Sequence, residues 1–252
     1  MQIKIKRLNW ISAEDGLSPP IFLTTEMLRL TMLEPTMNRP KTLQTLGLGI
    51  GLFIAVYVPA FVTTALVRPR IEIMIPLVIG ITFFVSLILV LLLARLPVGI
   101  AEFGFTIPKF RYIASASVFG LVLGPGVTWL SHLWPSKPPF DVSGFAPWMI
   151  GLYFVIGSPI QEEVIFRGLI QSMLERRWMI AFSGFGGSLT GAVAFTTALF
   201  GIIHLGSGPI VAIGAAVLGL VAGELRRRSG SLLPAITVHA LFNAADAFWS
   251  SR

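Results

Sequence analysis

Two carboxylates and one guanidinium interrupt an otherwise apolar run at residues 148–174: Glu162, Glu163 and Arg167. Each charged side chain at the centre of a bilayer costs ~2.5 to 3.5 kcal/mol, so such groups need a partner or a function. On a helix, Glu163 and Arg167 are four residues apart and share a face, which predicts an ion pair. Glu162 is rotated by about 100° and has no matching arginine. We therefore expect Glu162 to be free to exchange a proton, as a general base or acid must.

Two further motifs follow in later apolar runs. Phe200 and His204 lie near the end of one run, and His239 precedes Asn243 by four residues in another, so His239 and Asn243 share a helix face. A lone histidine is often only packed at a membrane edge, and His239 with Asn243 could simply join helices. Taken together, however, these residues could form one hydrolytic site. Glu162 and His204 would activate a water, while His239 and Asn243 would donate hydrogen bonds to the developing oxyanion.

A zinc site is the alternative for the same residues. Glu162, His204 and His239 would supply one carboxylate and two imidazoles, with water in the fourth position. The sequence contains no H-E-x-x-H motif, which would favour zinc. It also contains no cysteine, which excludes a thiolate nucleophile and thiolate metal ligands. A metal-free site and a zinc site are both compatible with these residues.

The composition is that of a polytopic membrane protein. Hydrophobic residues make up 54% of the chain and charged residues 12%, against about 25% charged residues in soluble domains. We expect an all-α transmembrane bundle of about seven spans (seven to eight). The candidate spans are residues 43–66, 71–94, 112–134, 148–174, 189–205, 209–223 and 232–249. Because 189–205 and 209–223 are short, a helical hairpin that bends within the membrane is an alternative for them.

The basic residues predict the orientation of this bundle. Most Lys and Arg residues fall on the side of the N-terminus, which predicts a cytoplasmic N-terminus. The net charge of +7 is spread through loops, so we expect no nucleic-acid partner. Residues 1–42 are predicted to be a cytoplasmic or interfacial segment, and 43–250 a single transmembrane domain. The arginines 226–228 are interpreted as an orientation anchor, with anionic lipid as a secondary ligand.

Two details of the chain leave alternatives open. The segment 96–110 is either an interfacial elbow or a plain connector. His204 lies 15 residues after Leu189, about 22 Å along a helix, which would place it further towards the outer surface than Glu162. Either the fifth helix starts deeper in the membrane or its neighbour is re-entrant.

The three motifs, in this order, resemble those of the CAAX prenyl protease and bacteriocin-processing family of intramembrane endopeptidases, also called the Abi or CPBP family. That family's pattern is E-E-x-x-x-R, then F-x-x-x-H, then H-x-x-x-N or D. Here the motifs are Glu162-Glu163…Arg167, Phe200…His204 and His239…Asn243. The resemblance covers roughly residues 100–250, while residues 1–95 match only as apolar spans.

The resemblance implies a role for each of these residues. Glu162 and His204 would activate the water, His239 and Asn243 would form the oxyanion hole, and Glu163 and Arg167 would support them. The preferred reading then requires no metal or other cofactor, and zinc is the alternative. The best-known members remove the last three residues from prenylated CAAX proteins. Bacterial relatives are linked to bacteriocin maturation and self-immunity, peptide signalling and protein sorting, and the sequence does not choose among these substrates.

We therefore expect an intramembrane endopeptidase that cleaves a membrane-associated protein or peptide. Its location would be a bacterial cell membrane or an equivalent organellar membrane, as a multi-pass protein in contact with lipid. One alternative is a scaffold or regulatory protein of the same fold, with a stable membrane-protein partner. Another is a proton-coupled transporter, because buried Glu and His residues also mark proton paths.

Overall fold

The computed structural model describes residues 39–95, 99–133, 145–178, 180–184 and 187–250. The predicted N-terminal segment therefore lies almost entirely outside the described residues. Residues 38–252 belong to one compact unit. Its helices are α1 (Arg39–Val67), α2 (Ile71–Ala94), α3 (Phe110–Leu133), α4 (Pro147–Glu175), α5 (Gly191–Ile203), α6 (Pro209–Ser229) and α7 (Leu233–Ser250). Short 3-10 turns cover Ile100–Phe103 and Leu205–Ser207, and strands β1 (Ile180–Gly184) and β2 (Gly187–Thr190) form an antiparallel hairpin.

The helices confirm the predicted all-α membrane bundle, and the chain is an integral multi-pass membrane protein. Helices α1 to α4 and α6 contain segments that are long and apolar enough to cross a membrane. The stretch Gly191–Ser207, which contains α5, is apolar but shorter. Helix α6 continues six residues past the predicted end at 223, so it can cross the membrane without the bend considered for 209–223. The prediction stopped at the first charged residues, but these residues extend the helix.

Helix α4 lies at the centre of the bundle. Its residues 163–172 are buried, and it contacts α1, α2, α5, α6 and α7. The apolar residues of this stretch, such as Ile165, Phe166 and Leu169, point in all directions around the helix, which is the pattern of a fully buried helix. The charged motif of α4 is therefore enclosed by protein rather than by lipid.

Close helix contacts bring α7 up to this centre. A Cβ atom built on Gly120 of α3 would lie 2.7 Å from Cβ of Leu241, and one on Gly124 would lie 2.9 Å from Cβ of Ala245. The absence of side chains at these two glycines lets α3 and α7 approach each other closely. Helix α7 is thereby held where its own polar residues face α4.

Two stretches of α4 are π-helical, Gly151–Gly157 and Val164–Gln171. An ordinary α-helical segment, Ser158–Glu163, lies between them and carries both acidic residues. A π-helical turn closes hydrogen bonds five residues apart instead of four, and such turns are frequent at functional sites. The two stretches therefore set the direction in which the acidic residues point.

The segment between α2 and α3 is an anchored elbow and not a plain connector. Its Phe103 side chain is fully buried, and Glu102 pairs with Arg176 at 3.1 Å. Arg226 donates from Nη2 to the carbonyl of Glu102 at 2.8 Å and to the hydroxyl of Ser172 at 3.1 Å. Arg226 is only 5% exposed, so it has a packing role in addition to the one expected of an orientation anchor. It joins the elbow to α4 and α6.

Replacing Arg226 by glutamine is expected to destabilise the protein. The Arg226→Gln variant leaves buried acceptors without their donor, which should cost ~2 to 3 kcal/mol of unfolding free energy. The matched control is Arg228→Gln, because Arg228 pairs with Glu224 while its own side chain is 45% exposed, and such pairs contribute at most ~1 kcal/mol. Thermal unfolding in detergent measures the stability of both variants. Equal losses of stability would contradict a stabilising role for the buried hydrogen bonds of Arg226.

Candidate active site

The predicted ion pair is present at the centre of the bundle. Nη1 of Arg167 lies 3.1 Å from Oε1 of Glu163, and both side chains are fully buried. Nη2 of Arg167 donates to the carbonyl of Gly219 on α6 at 3.0 Å. The guanidinium also lies 4.7 Å from the centre of the Phe200 ring, a cation–π contact. These contacts replace water around the arginine and make its charge tolerable inside the bundle.

His239 of α7 lies between the two acidic residues. Its Nδ1 is 2.8 Å from Oε1 of Glu163, and its Nε2 is 3.8 Å from Oε2 of Glu162. Since an ionised carboxylate only accepts hydrogen bonds, Nδ1 carries the hydrogen in this contact. No spacing within the sequence indicates this pairing, because it joins residues on two different helices. Glu163 therefore orients the imidazole of His239.

Glu162 has one engaged oxygen and one open oxygen. The hydroxyl of Ser158 donates to Oε1 at 2.6 Å, which fixes the carboxylate. Oε2 is buried and has no hydrogen-bond partner among the described residues. The distance from Oε2 to Nε2 of His239 is too long for a hydrogen bond, and a water can bridge groups at such a separation. Glu162 thus presents an acceptor that none of the described residues uses.

His204 is the first residue after α5. Its Nδ1 donates to the carbonyl of Phe200 at 2.7 Å, which leaves the lone pair of Nε2 available in the neutral ring. The Phe200 ring lies 4.6 Å from the His204 ring and 5.6 Å from the His239 ring. The two histidines therefore contact the same aromatic ring, and the expected difference in depth does not separate them. No hydrogen bond joins His204 to Glu162 within the described ranges.

Asn243 connects α7 to the first π-helical stretch of α4. Its Nδ2 donates to the carbonyl of Phe154 at 2.8 Å. A carboxamide nitrogen carries two hydrogens, so this bond leaves one more for another acceptor. Asn243 lies one helical turn after His239, and the two side chains therefore share the face of α7 that is turned towards α4.

The zinc alternative is not preassembled in this arrangement. Among the described residues, no three His, Asp or Glu side chains are grouped as metal ligands. The two nitrogens of His239 face Glu163 and Glu162, and Nδ1 of His204 bonds to a backbone carbonyl. The set Glu162, His204 and His239 therefore does not fit zinc as it stands.

Two neighbours of Glu162 were not predicted. Ser158 is four residues before Glu162, so the same spacing rule that paired Glu163 with Arg167 could have identified it. Tyr57 interacts with the side chain of Gln161 and with Glu162, but it lies on α1 and no local pattern indicates it. Tyr57 also lines an apolar cavity of about 400 Å³ at α1 and α2. Helices outside the three motifs therefore contribute to the surroundings of Glu162.

Gly219 permits the contact between Arg167 and α6, and Gly219→Ala is expected to weaken it. A Cβ atom there would lie 3.0 Å from Nη2 of Arg167 and 3.4 Å from Cα of Thr197. We expect a loss of ~1 to 3 kcal/mol, because the guanidinium is held by Glu163 and cannot move freely. In the control Gly51→Ala, the new Cβ meets nothing within 4 Å, so stability should stay equal or rise. Thermal unfolding measures the stability of both variants. A Gly219→Ala variant more stable than the wild type would contradict the close contact between Gly219 and Arg167.

Comparison with known families adds an independent finding. Residues 144–245 match the model of a family described as type II CAAX prenyl endopeptidase, Rce1-like. The match contains all three motifs and is narrower than the resemblance over residues 100–250. No curated protein and no solved structure matches the chain.

Proposed function

We propose, since residues 144–245 match the model of the Rce1-like type II CAAX prenyl endopeptidase family, that this membrane protein hydrolyses a peptide bond of a membrane-associated protein or peptide. The family is one of intramembrane endopeptidases, in agreement with the resemblance of the three motifs. The observation that best supports hydrolysis is Oε2 of Glu162, a buried acceptor without a partner among the described residues, 3.8 Å from Nε2 of His239.

In the proposed reaction, Glu162 and His204 activate a water molecule. Oε2 of Glu162 takes a proton from the water, and the lone pair on Nε2 of His204 accepts the hydrogen bond of its second hydrogen. The water oxygen then forms a bond to the carbonyl carbon of the substrate. The carbonyl oxygen becomes an oxyanion, and no covalent bond to the protein is formed.

His239 and Asn243 stabilise this oxyanion in the proposal. Asn243 donates its second amide hydrogen, since the first bonds to the carbonyl of Phe154. His239 can donate from Nε2 only when both ring nitrogens carry hydrogen, because Nδ1 already donates to Glu163. Donors fixed in advance of the reaction contribute a large share of catalysis in acyl transfer.

The reaction closes when the tetrahedral intermediate collapses. The bond between carbon and nitrogen breaks as the proton held by Glu162 passes to the leaving nitrogen. The products are a carboxylic acid and an amine, the acid then gives its proton to the amine to form a carboxylate and an ammonium group, and the carboxylate of Glu162 is restored. Glu163 and Arg167 do not touch the substrate in this scheme and act by holding His239.

A comparison of membrane peptides tests the function and finds the substrate together. Membranes that contain the wild-type protein are compared with membranes that contain Glu162→Gln at equal abundance. We expect at least one cleavage product in the first sample that is missing from the second. Identical peptides in both samples would contradict proteolysis. A stoichiometric partner that binds both forms equally would then favour the scaffold alternative.

Metal removal separates the two candidate mechanisms. We expect the purified protein to retain its cleavage rate after treatment with a tight-binding chelator, because Glu162 alone supplies the base in the proposed scheme. The rate of cleavage before and after treatment is the measurement. A loss of rate that added Zn²⁺ restores would support the zinc set instead.

A further inference from the structure

A polar cavity of about 350 Å³ lies away from the three motifs. It is lined by Gln44 and Thr45 of α1 and by Arg176 and Arg177, which follow α4. These residues come from the beginning of α1 and from just beyond the end of α4, where both helices leave their apolar spans. The cavity is therefore at one edge of the membrane-spanning bundle.

The charge of this cavity is only partly balanced by the described residues. Arg176 pairs with Glu102 at 3.1 Å. The side chain of Arg177 has no hydrogen-bond or ion-pair partner in the described part of the chain, and it is exposed. Gln44 adds an exposed amide that can donate as well as accept. The lining thus offers one unneutralised guanidinium, one shared guanidinium and a neutral donor, with no acidic side chain among them.

From this lining we infer that the cavity binds a phosphate group, with Arg177 as its principal ligand. A guanidinium presents two parallel N–H donors that match the oxygens of a phosphate. Basic pockets between helices at the edge of a membrane are typical sites for anionic lipid headgroups. The phosphate can be that of an anionic phospholipid or a free phosphate, and the chemistry of recognition is the same.

The cavity is separate from the proposed active site. Arg177 follows Glu162 by 15 residues, roughly 20 Å along a helix. Ser172, near this end of α4, accepts a hydrogen bond from Arg226, so the cavity shares its side of the bundle with the arginines 226–228. Arg177 therefore provides a lipid contact in addition to the one expected at the arginines 226–228, and this contact does not depend on proteolysis.

Binding to the detergent-purified full chain tests the inference. The probes are a short-chain phosphatidylglycerol, a phosphatidylcholine of equal chain length and inorganic phosphate. Retained lipid is counted by native mass spectrometry, and affinity is taken from the shift in thermal unfolding. We expect saturable binding of phosphatidylglycerol that phosphatidylcholine does not match. Competition by inorganic phosphate would indicate that the site also takes the free anion, and a lack of competition would indicate the lipid headgroup.

Matched variants separate the cavity from general electrostatic attraction. Arg177→Gln should weaken the binding of phosphatidylglycerol by ~10-fold or more, because a charge-assisted, bidentate contact is lost. Arg111→Gln removes the same charge from the start of α3, outside the cavity lining, and should leave affinity unchanged. Gln44→Glu, a change at an exposed position, adds a negative charge to the lining and should also weaken binding. An equal loss in Arg111→Gln, unchanged binding in Arg177→Gln and Gln44→Glu, or no saturable binding at all would overturn the inference.

Discussion

Glu162→Gln is expected to lower the rate of peptide-bond cleavage by ~10²- to 10⁴-fold, the usual contribution of a general base. A carboxamide has nearly the same shape as the carboxylate but cannot take a proton from water. Its oxygen can still accept the hydrogen bond that Ser158 donates at 2.6 Å. The variant should therefore insert and unfold as the wild type does. Initial rates on the substrate found from the membrane peptides, together with thermal unfolding, measure the two effects.

The matched control is Glu72→Gln in the first turn of α2. This variant removes the same charge at a distance from the three motifs, so we expect both rate and stability to be preserved. If Glu162→Gln cleaves at the rate of Glu72→Gln, the carboxylate of Glu162 is not the base. If it loses both rate and fold, the open oxygen has a structural role instead.

Arg167→Met, unlike Glu162→Gln, is expected to destabilise the protein. We expect a loss of ~3 to 5 kcal/mol of unfolding free energy. The substitution keeps an apolar chain of similar length but leaves the carboxylate of Glu163 buried without its cation. It also removes the donor to the carbonyl of Gly219 at 3.0 Å. Thermal unfolding in detergent, or the yield of folded protein where the variant unfolds, gives the size of the loss.

A double variant distinguishes a broken pair from a general packing defect. In Glu163→Gln with Arg167→Met, no charge is left uncompensated, so we expect the double variant to be more stable than Arg167→Met alone. The difference from additivity reports the coupling of the two side chains. Losses that simply add would show that the two residues stabilise the bundle independently of each other.

Local spacing was the most reliable guide in this chain. The pair Glu163 and Arg167 could be predicted because both residues lie on one helix, and the distance of 3.1 Å agrees with that prediction. The positions of the helices could also be predicted, since apolar runs of membrane-spanning length have few other structures available to them. The bounds of α2, Ile71–Ala94, agree with the predicted run.

Contacts between helices could not be predicted in the same way. The hydrogen bond from His239 to Glu163 joins residues 76 positions apart, and no periodicity in either helix indicates it. The Phe200 ring illustrates the same limit, because it contacts His204 on its own helix and also His239 and Arg167 on two others. The motif order suggested that these residues converge, but the ring between them became evident only in three dimensions.

The charge pattern did not indicate how the arginines differ. Three adjacent arginines were interpreted together as an orientation anchor, whereas the burial of Arg226 depends on acceptors in the elbow and in α4. Neighbouring residues on a helix point in directions about 100° apart, so one of three can face the interior while the others remain outside. A cluster of like charges therefore need not have one function.

The π-helical stretch Val164–Gln171 has a consequence for insertions and deletions in this gene segment. Removing one apolar residue from it, such as Leu169, would keep every polar side chain of the stretch. The residues that follow would nevertheless rotate by about 100° relative to Glu162 and Glu163, so Gln171 would turn away from the carbonyl of Gly223, to which it donates. A substitution within this stretch changes one contact, whereas a change of length alters the direction of every residue that follows. Chain length at this point is therefore as much a part of the site as the residues themselves.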